Sequence, residues 1–326
     1  MSDETVSKVD FPELETPLAA LAGRPPEAPQ WFREAIAVVP QHEHVMVEGA
    51  RVHYLRWGDP SKPGLLLVHG NAAHAYWWSV IAPFLSRDYH VVAIDLSGMG
   101  DSEWRPAGYS MECFAAEVLA VCEHSGMLAL DEPPVIIGHS FGGFVTILAG
   151  ALYGERLAGT IILDSPVNPP DRPRAGPPAF RPHNIYPDIA AALARFRLLP
   201  PQVCENLYLL DYVARHSLRQ VGNGFTWKFD PQIWRNFSIG DMAARLRDTK
   251  CRIAIFRGEN SILMPPAVGE FMFNLLGRSA PVVEIPQAQH HMMLDQPLAL
   301  VAALRAVLAD WEHSDPSRSP DELAQD

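Results

Sequence analysis

Residues 138–142 read Gly-His-Ser-Phe-Gly, a G-x-S-x-G pattern that follows the apolar run Val135-Ile136-Ile137 and leads into the stretch GGFVTILAGALY. A strand, a tight turn and a helix in that order strain the backbone at the serine and lift its hydroxyl out of the sheet. The flanking glycines remove side chains that would meet neighbouring backbone. The chemistry on offer is nucleophilic attack by Ser140, yet a serine hydroxyl is too weakly acidic to attack without a base. Thirteen histidines are available. Most, including His42, His44, His53, His74, His124, His183 and His216, read as surface or packing residues. His42 and His44 form a His-Glu-His run that lacks a third metal ligand. The segment AQHHMMLDQP (288–297) stands apart, because it lies between the last strand-like run and the last helical one. Loops at the carboxyl ends of parallel strands emerge on one side of a sheet, so a base there reaches the serine. A carboxylate is then needed to hold the imidazole in the right tautomer.

The elements that must position these groups are legible as an alternation of apolar strands and helical segments from about residue 45. That rhythm specifies an α/β fold with a mostly parallel central sheet flanked by helices. VMVEGARVHYLRWG reads as a hairpin. LLLVHG, HVVAID, VIIG, TIILD, CRIAIFRG and PVVEIP read as six further strands, and PLALVAALRAVLADWE as the closing helix. The rhythm stops between Pro166 and about Arg245, a stretch that opens with prolines at 166, 169, 170, 173, 177, 178 and 182 and continues with IAAALARFRLL and CENLYLLDYVARHSLRQV. It is expected to be a helical lid, inserted after the strand that ends at Asp164. The expected organisation is a core over residues 31–165 and 246–312, a lid over 166–245, and disordered tails over 1–30 and 313–326.

The net charge of −12 belongs mainly to the ends. Asp3, Glu4, Asp10, Glu13 and Glu15 against Lys8 make the first 15 residues −4; Asp310, Glu312, Asp315, Asp321, Glu322 and Asp326 against Arg318 make the last 17 −5. No basic stripe suggests nucleic acid, and no apolar run approaches the roughly 20 residues of a membrane helix. The four cysteines, at 113, 122, 204 and 251, form no Cys-x-x-Cys pair, and the start MSDETVSK lacks the pattern of a secretion signal, so a cytoplasmic protein without stable membrane association is expected. Without H-E-x-x-H, Walker A or G-x-G-x-x-G motifs, no metal or organic cofactor is implied. A small-molecule substrate is the expected partner, and the oligomeric state is left open.

Taken together, HGN (69–71), DLSGMGDS (95–102), GHSFGG (138–143) and HHMMLDQP (290–297) are similar to the motifs of the α/β-hydrolase superfamily, in its lidded group of bacterial serine hydrolases, over roughly residues 31–312. The resemblance implies an α/β-hydrolase fold and a catalytic histidine that opens a segment H-x-x-x-x-[DE]-x-P. Counting back from Pro297 and Asp295 selects His290 over its neighbour His291. The resemblance also implies an oxyanion hole built from the backbone N–H groups of Phe141 and Asn71. His69 and Gly70 take structural roles, and Asp95, Gly98, Gly100, Asp101 and Ser102 form turns. The chain departs from the family pattern at the triad acid: Gly258-Glu259-Asn260-Ser261 puts Ser261 where many relatives carry aspartate. Two carboxylates remain, Asp164 at the end of TIILD and Glu259 two positions early. Asp164 is preferred, with an acid-free dyad as the remainder.

The reaction implied is ester hydrolysis through an acyl-enzyme on Ser140. A serine at this turn argues against the related branches that use aspartate as nucleophile. Trp77, Trp78, His139 and Trp227 are candidate pocket residues. Leu198, Leu199, Phe229, Trp234 and their neighbours suggest an apolar roof suited to an uncharged, medium-sized substrate. Arg195, Arg197 and Lys228 could instead receive a substrate carboxylate. A carbon–carbon bond hydrolase or a cofactor-free perhydrolase would use the same triad, and a ligand-binding pseudo-hydrolase would carry a degraded one.

Overall fold

The computed structural model describes residues 16–172 and 182–314. Its centre is an eight-stranded sheet, with strands β1 (Gln41–Val47), β2 (Ala50–Trp57), β3 (Gly64–Val68), β4 (His90–Ile94), β5 (Val135–His139), β6 (Gly159–Leu163), β9 (Arg252–Gly258) and β10 (Val282–Ile285) in the order β1-β2-β4-β3-β5-β6-β9-β10. A separate hairpin, β7 (Leu218–Val221) and β8 (Gly224–Trp227), lies in the segment between β6 and β9. In the eight-stranded sheet β1–β2 and β2–β4 pair antiparallel, and the other five pairs are parallel. Both faces of the central strands are buried, which is why those strands read as continuous apolar runs.

Strand alternation divides the core in two. Leu65, Leu67, Ile137, Ile161 and Leu163 face one layer; Leu66, Val68, Ile136 and Ile162 face the other. The α-helices among the described residues are α1 (Gln30–Ala37), α2 (Ala82–Leu85), α3 (Met111–His124), α4 (Phe141–Tyr153), α5 (Ile189–Leu193), α6 (Leu207–His216), α7 (Met242–Arg247), α8 (Pro266–Leu275), α9 (Met292–Asp295) and α10 (Pro297–His313). The first layer is closed by α10, through Leu300, Leu304 and Leu308, and by α6. The second is closed by α3, α4, α7 and α8. Helix α4 is apolar almost all round and buries ten of its thirteen residues, so the chain leaving Ser140 is anchored in the core.

Three expectations need correction. Residues 16–29 are not a tail: Leu18 is 2% exposed within the core, and the Gly23 carbonyl accepts a hydrogen bond from Arg215 Nη2 at 2.8 Å. Polar, proline-rich composition hid one apolar anchor. Residues 1–15 and 315–326, and the prolines at 173, 177 and 178, lie outside the described residues. The segment between β6 and β9 is not wholly helical. Helix α5 ends at Leu193, short of Leu198-Leu199, and the run after α6 turns into the β7–β8 hairpin. Gly222, at φ 57°, supplies the positive φ that a two-residue hairpin turn requires. Finally, α7 crosses the expected boundary at residue 245 and packs on α4, so it belongs with the core layer.

Candidate active site

Ser140 sits between β5 and α4 at φ 55°, ψ −119°, a conformation that non-glycine residues adopt only under constraint from their surroundings. The constraint is visible. Ser140 N–H donates to the Leu163 carbonyl at 2.9 Å, and Ser165 Oγ donates to the Ser140 carbonyl at 2.7 Å. A Cβ on Gly142 would run into the carbonyl oxygens of Val68 and His69, and one on Gly138 into Thr146 Oγ1 and the Gly142 carbonyl. Only glycine lets the turn lie this close to β3.

His290 lies in the loop after β10, ahead of α9. Ser140 Oγ is 2.8 Å from its Nε2, and its Nδ1 is 2.7 Å from Asp164 Oδ2. With the ring proton on Nδ1, the hydroxyl donates to the imidazole and the imidazole donates to the carboxylate. His290 is 1% exposed and Asp164 fully buried. Asp164 follows β6 at φ 51°, another constrained residue. Its Oδ1 accepts from Gly258 N–H at 3.1 Å, and its Oδ2 also accepts from Ser261 Oγ at 2.5 Å. Ser261, noted in sequence only as a missing aspartate, therefore donates to the carboxylate that stands in its place. Glu259 points elsewhere: its Oε2 accepts from Gln287 N–H at 2.7 Å, in an exposed turn.

The neighbouring histidines are structural in their contacts. His139 Nε2–H donates to the His290 carbonyl at 2.9 Å, bracing the loop that carries the base. Burial, then the adjacent His290, hold the His139 imidazole well below its usual pKa, and His291 is lowered by burial and by His290 and His139, so both rings are neutral near pH 7. Asp295, the acidic position of the histidine segment, accepts from Gln289 N–H and Gln202 Nε2; burial pushes its carboxyl up to about 6. His69 accepts from Leu96 N–H and donates to the Gly70 carbonyl. Asp95 ties three segments together by accepting from Ala75 N–H, Asp101 N–H and His53 Nδ1.

A cavity of about 340 Å³ opens above Ser140. Gly70, Asn71, Trp77, His139 and His291 form its core side. His183, Tyr186, Arg195, Phe196, Arg197, Leu198, Leu199, Trp227 and Phe229, all from the segment between β6 and β9, form the other. Trp77, His139 and Trp227 are among the lining residues, and Trp78 is not. It is fully buried in the sheet core, because successive residues of its 3-10 turn point about 120° apart. Trp234 packs against Phe141 instead, with ring centroids 5.1 Å apart, and Lys228 is paired with Asp101 at 2.7 Å rather than facing the cavity. Asn71 is in the cavity wall, and Phe141 begins α4, where a backbone N–H has no partner within its own helix.

Among the described residues, two groups of side chains bring metal-ligand atoms within 4.8 Å of one another: His139, His290 and His291, and His53, Asp95 and Asp101. In the first, both His290 nitrogens are committed to Ser140 and Asp164. Beside the second, His42 Nδ1 lies 2.9 Å from His53 Nε2, so the His-Glu-His run does meet further histidine and aspartate once folded.

Residues 65–304, well over half the chain, match the family model described as the alpha/beta hydrolase family, and the chain belongs to that family. Epoxide hydrolase 4 of Mus musculus is 32% identical over 121 residues, 36% of this chain and 32% of that protein. Lipase LipV of Mycobacterium tuberculosis is 30% identical over 116 residues, 36% of this chain and 42% of that protein. The match spans well under half the length of these curated relatives. Among solved structures, a thioesterase domain from the curacin biosynthetic pathway superimposes with a TM-score of 0.67 at 22% identity, covering 82% of this chain and 99% of that one. No helix among the described residues is long and apolar enough to cross a membrane.

Proposed function

We propose that the protein is a serine hydrolase that cleaves a carboxylic ester of a medium-sized, largely apolar substrate. The observation that carries this reading is the continuous line from Ser140 Oγ through both nitrogens of His290 to Asp164. In the reaction, Ser140 attacks the ester carbonyl while His290 Nε2 takes its proton. The tetrahedral oxyanion is received by the N–H groups of Phe141 and Asn71, each worth about 10²–10³ in rate. His290 then protonates the leaving alcohol, and the same imidazole activates the water that releases the acyl group. Asp164, neither exposed nor free to rotate, keeps the ring in its reactive tautomer. In this reading residues 166–241 act as a lid whose apolar wall, with Trp227, Phe229 and Leu198, selects the substrate. The relatives named as epoxide hydrolases share the fold; a serine at the turn favours acyl transfer here. Four unpaired cysteines support a reducing, cytoplasmic setting.

The test is covalent labelling of Ser140 by a fluorophosphonate probe, together with ester hydrolysis by Asp164→Asn and Glu259→Gln. Asp164→Asn should lose about 10⁴ in kcat, and Glu259→Gln should stay near the parent. A protein that does not label would be a pseudo-hydrolase. One that labels and cleaves only carbon–carbon bonds would move the reading to that reaction.

A further inference from the structure

The chain is acidic, with a net charge of −12, yet residues 166–245 carry ten basic against six acidic side chains. Two of the ten, Arg195 and Arg197, reach the cavity over Ser140. Among the described residues that line this cavity there is no aspartate and no glutamate. Among the described residues neither arginine has an acidic partner: Arg197 makes a long 3.4 Å contact to the Phe196 carbonyl, and burial, then the neighbouring Arg195, lower its pKa. Lys228, the third cation of this stretch considered from sequence, is already satisfied by Asp101. Arg195 is exposed and Arg197 half-buried, and their like charges bear on each other, so an anion between them would relieve the repulsion. Their planar forks match a carboxylate in two parallel hydrogen bonds.

We propose that the substrate carries a carboxylate beyond its scissile ester bond, and that Arg195 and Arg197 receive it. This rests on the serine-hydrolase reading of Ser140. The rest of the cavity agrees with a two-part ligand: the apolar body lies against Phe196, Leu198, Trp227 and Phe229, and the charged end reaches the exposed rim where Arg195 stands. An apolar cavity with few polar groups placed at one end is how small-molecule sites fix orientation. The arginines are specificity residues; they take no part in bond breaking.

The experiment compares kcat/KM for matched pairs of esters. On the acyl side, 4-nitrophenyl hydrogen glutarate is set against 4-nitrophenyl pentanoate; on the alcohol side, 4-(pentanoyloxy)benzoate is set against its methyl ester. The acidic member of one pair should be preferred about tenfold, chiefly through KM, as for one charge-assisted hydrogen bond lost or gained. That preference should shrink as ionic strength rises. It should collapse in the double variant Arg195→Gln/Arg197→Gln and survive in part in Arg195→Lys/Arg197→Lys. Both positions are at the surface or half-buried, and a thermal melt of each variant confirms that it is folded. If neither acidic ester is preferred, or if the double variant slows acidic and neutral esters equally, the proposal is overturned and the two arginines are merely solvated. Fluorophosphonate labelling of Ser140 separates the two readings: a protein that labels but ignores the carboxylate refutes this proposal alone, and one that does not label refutes the reading beneath it.

Discussion

At the scale of the residue, the site turns on where one carboxylate is held. Asp164 receives three donors, from His290, Ser261 and the Gly258 backbone, so its position is over-determined by groups from two other segments. Ser261 is a positioning residue, since it touches the carboxylate and not the reacting atoms. Ser261→Ala leaves Asp164 two of its three donors and should lower kcat about tenfold, with little change in KM, the cost of losing one hydrogen bond to a charged group. Steady-state kinetics beside a thermal melt check this, and a fall in melting temperature that accounts for the whole loss would assign Ser261 to folding alone.

At the scale of the element, β5, the turn at Ser140 and α4 work as one rigid piece. Gly142→Ala would push a methyl group into the carbonyls of Val68 and His69. The turn must then move off β3, and the prediction is loss of most ester hydrolysis and of fluorophosphonate labelling in protein that still folds, as judged by circular dichroism. A second element outside the sheet is the arm before α1. Its Leu18 is buried, and Phe32 of α1 packs edge-on against Tyr208 of α6, ring centroids 5.0 Å apart. Leu18→Ala should cost about 2–3 kcal/mol of stability, in the lower part of the range for buried leucines. Denaturant unfolding measures it; no change would mean that the arm does not contribute to the folded state.

At the scale of the whole molecule, several histidines are buried in neutral form. His74 is lowered to about 3 by burial, and His69, His139 and His291 are lowered from the same leading cause. When the folded pKa lies below the unfolded value near 6.5, the unfolded chain binds more protons as pH falls, so stability drops from about pH 6.5 downward. Asp295 works the other way: with its carboxyl raised to about 6, its contribution falls as pH rises from about 4 to 6. Burial raises the Glu117 carboxyl in the same direction, but four imidazoles outweigh two carboxyls, and the melting temperature should fall between pH 7 and pH 5. A melting temperature that is flat or rising over that interval would contradict this balance.

How much of this was legible in advance follows from which interactions are local. The strands, the turn at Ser140 and the closing helix could be read directly, because continuous apolar runs, glycine at close approaches and strand-then-helix order are properties of contiguous residues. The segment from 166 to 245 resisted. Its hairpin depends on a Gly-Asn turn embedded in a helix-like run, and its inner wall depends on which side chains fold back over β5. Trp77 and Trp78 were indistinguishable by type and separable only by direction. Ser261 was visible as a substitution but not as a donor, since its partner lies 97 residues away in the chain. The sequence by itself determined the family, the sheet, the serine and the histidine that approach each other from two strand ends. Only the tertiary structure decided that Asp164 rather than Glu259 meets His290, and that two arginines without an acidic partner among the described residues face the cavity. Strand-end geometry and the meeting of charges are set by packing across the sheet, which no stretch of neighbouring residues encodes.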